Sequence, residues 1–127
     1  MERETAEVRV VRGAKAAGTG AASGAMARLP GVDAAAGATR LWLGLAVLPP
    51  GAVSAPHHHG EAETAAYVLR GRLRISYGEG FRRHVEAGPG DFIFVPAGLP
   101  HIEANASDAE PAEVLAARSP DNIVVNL

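Results

Sequence analysis

A series of short apolar runs, cut at regular intervals by glycine and proline, is the feature that most narrows the folds open to this chain. From Arg40 onward the runs are LWLGLAVL (41–48), TAAYVLR (64–70), RLRISY (72–77), FRRHVEA (81–87), DFIFV (91–95), HIEANA (101–106), AEVLAAR (112–118) and NIVVN (122–126). In RLRISY, Leu73, Ile75 and Tyr77 alternate with Arg72, Arg74 and Ser76, the period of an antiparallel strand with one wet face. DFIFV is continuously apolar and reads as a core strand. Pro49-Pro50-Gly51, Gly71, Gly78-Glu79-Gly80 and Gly88-Pro89-Gly90 punctuate the series. Strands of this length and spacing predict an all-β sandwich or barrel.

The first third differs. Residues 6–12, AEVRVVR, alternate enough to predict a short strand. Residues 13–40 are alanine, glycine and serine with few large side chains, which predicts a long surface loop with at most a short turn of helix. The expected organisation is therefore an N-terminal strand and Ala/Gly-rich loop over 1–39 and a β-domain over 40–127.

Composition removes several classes of function. A chain of 127 residues is long enough for one core but not two. Its formal net charge of -2 gives no basic field for nucleic acid or an anionic membrane. There is no cysteine, so disulfides and thiolate metal sites are excluded and any metal must bind through nitrogen and oxygen. No apolar run has the length of a membrane span, and MERETAEVRV lacks a signal-peptide core; the expected location is the cytoplasm.

Three of the five histidines are consecutive, His57 to His59. His57 and His59 are one residue apart, so in an extended chain they point the same way. Glu63 lies four residues past His59 and can supply an oxygen. His101 follows PAGLP at another loop-to-strand boundary. Paired imidazoles, a third from a distant strand and a carboxylate suit a divalent transition metal such as Fe, Mn, Ni, Cu or Zn. His58 should point outward, His84 lies among charges, and Glu61 is a weaker substitute for Glu63. Trp42, Tyr67, Tyr77, Phe92 and Phe94 read as core residues, and Asn105 as a structural tie between strand and loop.

These residues resemble a known family. Gly51-x5-His57-x-His59-x3-Glu63 followed by Gly71 looks like the first motif of the cupin superfamily. Gly90-x5-Pro96-x-Gly98-x2-His101-x3-Asn105 matches the second motif at every fixed position. The resemblance covers roughly residues 40–118 and points to a small, single-domain, RmlC-like member. It implies a double-stranded β-helix, or jelly-roll barrel, with a metal held inside by His57, His59, Glu63 and His101, and frequent assembly as a homodimer. One departure stands out: the family places its acidic ligand seven residues before the closing glycine, where this chain has Thr64. Glu63 serves if a bulge or the Gly60 loop re-aims it; otherwise the metal has three histidines and water.

A nitrogen/oxygen site with open positions can activate dioxygen or act as a Lewis acid on a carbonyl or enolate oxygen. The first functional expectation is a metal-dependent oxidoreductase of dioxygenase type acting on a small organic molecule. A non-catalytic binding or sensing domain and a metal-assisted isomerase are the alternatives, since fold does not choose among them. An edge strand such as NIVVN or EVRVVR is available to pair across a dimer.

Overall fold

The computed structural model describes residues 6–13 and 23–127. Ten strands are found among them: β1 (Ala27–Val32), β2 (Trp42–Leu48), β3 (His57–His58), β4 (Glu63–Arg70), β5 (Leu73–Tyr77), β6 (Arg83–Ala87), β7 (Phe92–Val95), β8 (His101–Asn105), β9 (Ala112–Ser119) and β10 (Val125–Asn126). They form two five-stranded sheets, ordered β1-β2-β9-β4-β7 and β10-β3-β8-β5-β6. Every strand pair is antiparallel. The all-β architecture expected from the glycine and proline spacing is the one observed.

Two expectations for the first third are corrected. Residues 6–12 are exposed and form no strand. The segment 13–40 is not one long loop: its last part forms β1, followed by a 3-10 turn at Ala34–Ala36, while residues 14–22 lie outside the described residues. Pro30 and Gly31 argue against a central strand, but β1 is an edge strand and its register slips between Pro30 and Val32. An edge with a bulge is where a sheet tolerates proline.

The alternation of side chains gives the interior two chemically distinct ends. On sheet one, β2 turns Trp42, Gly44, Ala46 and Leu48 inward, and β9 turns Ala112, Val114, Ala116 and Arg118 inward. Leu48, Val68, Ala112 and Val114 meet Leu73, Ile75 and Ala87 of sheet two in one buried apolar cluster with Met26. Asn105 closes this end: its Nδ2 donates to the carbonyls of Leu48, Pro49 and Glu110, and its Oδ1 accepts from the Ser107 N–H. Asn105 therefore ties strand to loop, as its motif position suggested. Gly71 turns β4 into β5 with φ of 79°, and a Cβ there would stand 2.5 Å from the Pro111 carbonyl oxygen; only glycine suits both the angle and the space.

At the other end the register lines up polar groups. Trp42 pairs with Arg118, and Arg118 with Thr64, across β2, β9 and β4. On the facing sheet Tyr77, His101, His57 and Asn126 form a row across β5, β8, β3 and β10. Directly opposed residues on one face of a sheet are in side-chain contact range, so each row delivers its side chains to one place.

The outer faces also differ. Sheet two carries ion pairs from Glu86 to Arg72 (2.8 Å) and Arg74 (2.7 Å). Hydrogen bonds from these two arginines hold the Glu86 carboxyl below the usual carboxylate range. Sheet one presents Leu43, Tyr67, Leu115, Phe92 and Phe94 outward; Phe92 is 82% exposed and Phe94 62%. The expectation that Tyr67, Phe92 and Phe94 are core is corrected: β4 turns Thr64 and Val68 inward and Tyr67 outward, and in β7 only Ile93 and Val95 turn inward.

Candidate metal centre

His57 in β3 lies directly opposite His101 in β8, with ring centroids 4.3 Å apart. The His59 ring lies 5.0 Å from that of His57 and 5.3 Å from that of His101. All three are buried, and one ligand nitrogen from each ring lies within 4.8 Å of the other two. The parity argument for His57 and His59 holds, and the pairing of β3 with β8 brings in the third imidazole from a segment more than forty residues away.

The backbone fixes which nitrogen faces inward. Each Nδ1 sits beside a carbonyl oxygen: Ala55 for His57 (2.8 Å), Ile123 for His59 (2.7 Å) and Leu99 for His101 (2.9 Å). A carbonyl only accepts, so each Nδ1 carries the proton and donates, and each Nε2 keeps its lone pair. Such an outward tether orients a metal-ligating imidazole. His101 Nε2 is buried with no hydrogen-bond partner among the described residues. Burial lowers the His57 pKa to about 4, against an opposing effect of the Ala55 carbonyl. Burial, then the nearby Arg118 charge, lowers that of His59 to about 2. Both rings are neutral at physiological pH, the form that binds a metal.

A carboxylate stands beside the triad, and it is not Glu63. Glu103 is two residues past His101 on β8 and therefore shares its inward face. Its Oε2 lies 3.7 Å from His57 Nε2, too far for a hydrogen bond, and that buried oxygen has no hydrogen-bond partner among the described residues. An unpaired carboxylate oxygen and an unpaired imidazole nitrogen, both buried, are costly apart and fit a shared cation. The donor set of three imidazoles and one carboxylate suits a divalent transition metal.

The structure places Glu63 elsewhere. It pairs with Ser119 and is exposed on the outer face of sheet one, while Thr64 is buried. No bulge re-aims it: the register slip in β4 falls between Val68 and Arg70, beyond the position that matters. Thr64 instead accepts a hydrogen bond from Arg118 Nε at 3.0 Å. Glu61 is exposed. His58 stays out of the triad and accepts from the Gly60 N–H at 3.0 Å. His84 is exposed, as expected.

Two buried arginines, neither anticipated, complete the surroundings. Arg28 on β1 is fully buried; its Nη1 donates to Ser23 Oγ at 2.9 Å, and its Nη2 lies 2.9 Å from His57 Nε2. Arg118 on β9 donates to Thr64 Oγ1 and, at 3.0 Å, to Asn122 Oδ1, while its Nη2 lies 3.3 Å from His59 Nε2. Its guanidinium carbon lies 5.5 Å from the centre of the buried Trp42 ring. Burial lowers the Arg118 pKa to about 10 and also lowers that of Arg28, with Glu103 opposing both shifts. Both remain cations at neutral pH.

An apolar cleft of about 240 Å³ lies next to His101, lined by Ile75, Tyr77, Val85, Ile93, Phe94 and Leu99 among others. Tyr77 is the direct cross-strand neighbour of His101, and Leu99 supplies the carbonyl that tethers it. A wider concavity of about 600 Å³, between residues 6–11 and 32–41, shares no residue with the histidine site. No helix among the described residues is long and apolar enough to cross a membrane.

Comparison with known proteins agrees with this geometry. A germin-like protein, subfamily 2 member 3, of Arabidopsis thaliana is 39% identical over 72 residues, which cover 54% of this chain and 32% of that protein. The polyketide synthase CurC of Streptomyces cyaneus is 33% identical over 75 residues, 58% of this chain and 46% of that protein. The match thus spans less than half the length of either curated relative. Among solved structures, the polyketide cyclase RemF from Streptomyces resistomycificus superposes with a TM-score of 0.69 at 25% identity, covering 100% of this chain and 83% of that one. The Cupin domain family matches residues 44–118, the stretch that runs from inside β2 to the inward-facing Arg118. On that match, which takes in most of the chain, and on the two facing antiparallel sheets, this protein belongs to the cupin family.

Proposed function

We propose that this chain is a metal-dependent enzyme acting on the enol or enolate oxygen of a small β-dicarbonyl substrate, in an aldol-type ring closure of the polyketide kind. The observation that carries this reading is the convergence of three outward-tethered imidazoles on one point, with the Glu103 carboxylate beside them. His57, His59, His101 and Glu103 would hold a divalent metal, which would supply Lewis acidity at a carbonyl or enolate oxygen. The protein does the rest. The carbonyls of Ala55, Ile123 and Leu99 keep the three Nε2 lone pairs inward. Tyr77 and the cleft beyond it offer an apolar wall for the carbon skeleton. Burial keeps water from the reacting centre. The polyketide names of CurC and RemF support this choice of substrate class.

A dioxygenase uses the same residues, and the histidine-rich nitrogen site favours it as the second reading, because redox-active metals accept that donor set. One experiment separates the two. Zinc-, manganese- and iron-loaded protein is incubated with a synthetic poly-β-ketone thioester, with and without dioxygen. Cyclised product of unchanged mass apart from lost water, formed equally under nitrogen and abolished by His101→Ala, is the expected result. Product that forms only with oxygen uptake supports the dioxygenase. No turnover with any of the metals contradicts both and leaves a binding domain.

A further inference from the structure

We infer that Arg28 and Arg118 form a buried anion clamp facing the histidine centre, so that the ligand this barrel takes carries a carboxylate or enolate charge and binds cooperatively with the cation. The inference rests on the metal reading above and adds to it the charge of the ligand and the residues that select it. Arg28 lies on β1, outside the stretch matched by the family, and β1 brings it into the barrel opposite Ala46. Arg118 is brought in at the end of β9 between Trp42 and Thr64.

Among the described residues, neutral oxygens accept from each guanidinium. Ser23 Oγ accepts from Arg28, and Thr64 Oγ1 and Asn122 Oδ1 accept from Arg118. Each turns an Nη2 toward a ligating imidazole nitrogen, at 2.9 Å for Arg28 and 3.3 Å for Arg118. A guanidinium has no acceptor, so in these contacts the Nε2 lone pair accepts. The same lone pair is the one a cation needs. Cation binding at His57 and His59 therefore takes the acceptor from both Nη2 groups at once.

Charge leads to the same result. Around His57, His59 and His101 the described buried residues supply two guanidinium cations and the single carboxylate of Glu103. Adding a divalent cation makes this described set strongly positive, and unbalanced charge is expensive where water is excluded. An oxygen anion between the cation and the two Nη2 groups replaces the lost acceptors and offsets the charge. Guanidinium forks match carboxylate oxygens in geometry as well as sign, and an enolate oxygen in sign. A neutral ligand offers the acceptor but not the charge.

The test uses malonate as the anion, malonamide as its neutral counterpart and zinc as the cation, with purified full-length protein. Titration calorimetry gives the affinities, corrected for zinc–malonate association in solution. Fluorescence of Trp42, the only tryptophan and a neighbour of Arg118, gives an independent signal. In the wild type, zinc is expected to tighten malonate binding by roughly tenfold or more, with malonate tightening zinc by the same factor; malonamide should show no such coupling. Arg118→Met and Arg28→Met should each weaken malonate binding while zinc, bound without malonate, keeps its stoichiometry and binds at least as tightly, because a repelling cation is gone. Arg118→Lys, which keeps the charge and loses the fork, should give an intermediate malonate affinity. Equal malonate affinity in the wild type and both methionine variants overturns the clamp, and so does wild-type malonate binding that zinc leaves unchanged. If the variants do not fold, the wild-type coupling alone decides. If zinc binds to no protein, the metal reading fails and the proposed cooperativity fails with it, whereas zinc binding without malonate coupling sinks the clamp and leaves the metal reading intact.

Discussion

His57 and His101 face each other as a cross-strand pair, their rings 4.3 Å apart, although they come from two separate motif segments. That pairing makes one site of two sequence motifs. It also decides which carboxylate belongs to the site, because the strand that delivers His101 delivers Glu103 two residues later on the same face. Glu103→Gln is therefore expected to lower divalent cation affinity by roughly 10–100-fold, whereas Glu63→Gln leaves it unchanged. Competition against a chromophoric chelator measures both; the opposite ranking would return the ligand role to Glu63.

Protonation should act on the cation-free protein in a defined direction. His57 titrates at about 4 and His59 at about 2, both below the ordinary 6.5. Below 6.5 the unfolded chain therefore binds protons that the native state refuses, so stability is complete above that pH and is lost on acidification. The loss runs from 6.5 down to about 4 for His57 and continues lower for His59, at about 1.4 kcal/mol per pH unit for each ring. Urea unfolding of chelator-treated protein between pH 7 and 5 should show this decline, and His59→Gln should reduce its slope. A flat profile contradicts buried, neutral His57 and His59 rings.

Asn105 should matter for stability and not for chemistry. Its side chain serves three carbonyls and one N–H at the apolar end of the barrel. Asn105→Ala leaves several of these without a partner and is expected to cost about 2–3 kcal/mol. Chemical denaturation should show the loss, while the cation stoichiometry of the folded fraction stays at the wild-type value.

The apolar outer face of sheet one should bring two copies together. Phe92 and Phe94 are 82% and 62% exposed, and Phe92 adjoins Tyr67, Leu43 and Leu115 on the outer face of sheet one, whose ion pair of Arg70 with Glu113 lies further along β4 and β9. A self-complementary two-fold contact is the commonest way such a face is covered. Light scattering during gel filtration should give a dimer, and Phe92→Asp with Phe94→Asp should give a folded monomer that still binds its cation. A monomeric wild type at micromolar concentration would remove this surface from the account.

Much of the barrel was legible because its signals are local. Gly71 sits at the β4–β5 turn, Leu73 and Ile75 alternate inward, and His57 and His59 obey strand parity. Parity also ruled on Glu63: with no bulge before Val68, a residue next to the inward Thr64 must face out. The same rule applied to HIEAN marks Glu103 beside His101, and applied to AEVLAAR it marks Arg118 in line with Ala112, Val114 and Ala116. Those two residues were readable and were missed. Arg28 was hidden in a different way. Its strand contains Pro30 and Gly31 and forms only because β2 offers an edge to pair with, a tertiary fact that no local pattern carries. The phenylalanines of DFIFV misled because a continuous apolar run looks alike whether its second face meets a core or an open outer surface.

Elemental analysis of the purified protein, beside His57→Ala and His101→Ala variants expressed and purified in parallel, tests the central claim most directly. One divalent transition metal per chain in the wild type, lost from both folded variants, is the result expected of a centre built from the β3–β8 pair. Equal metal content in all three proteins, or none in the wild type after supply of zinc, manganese and iron, would contradict it.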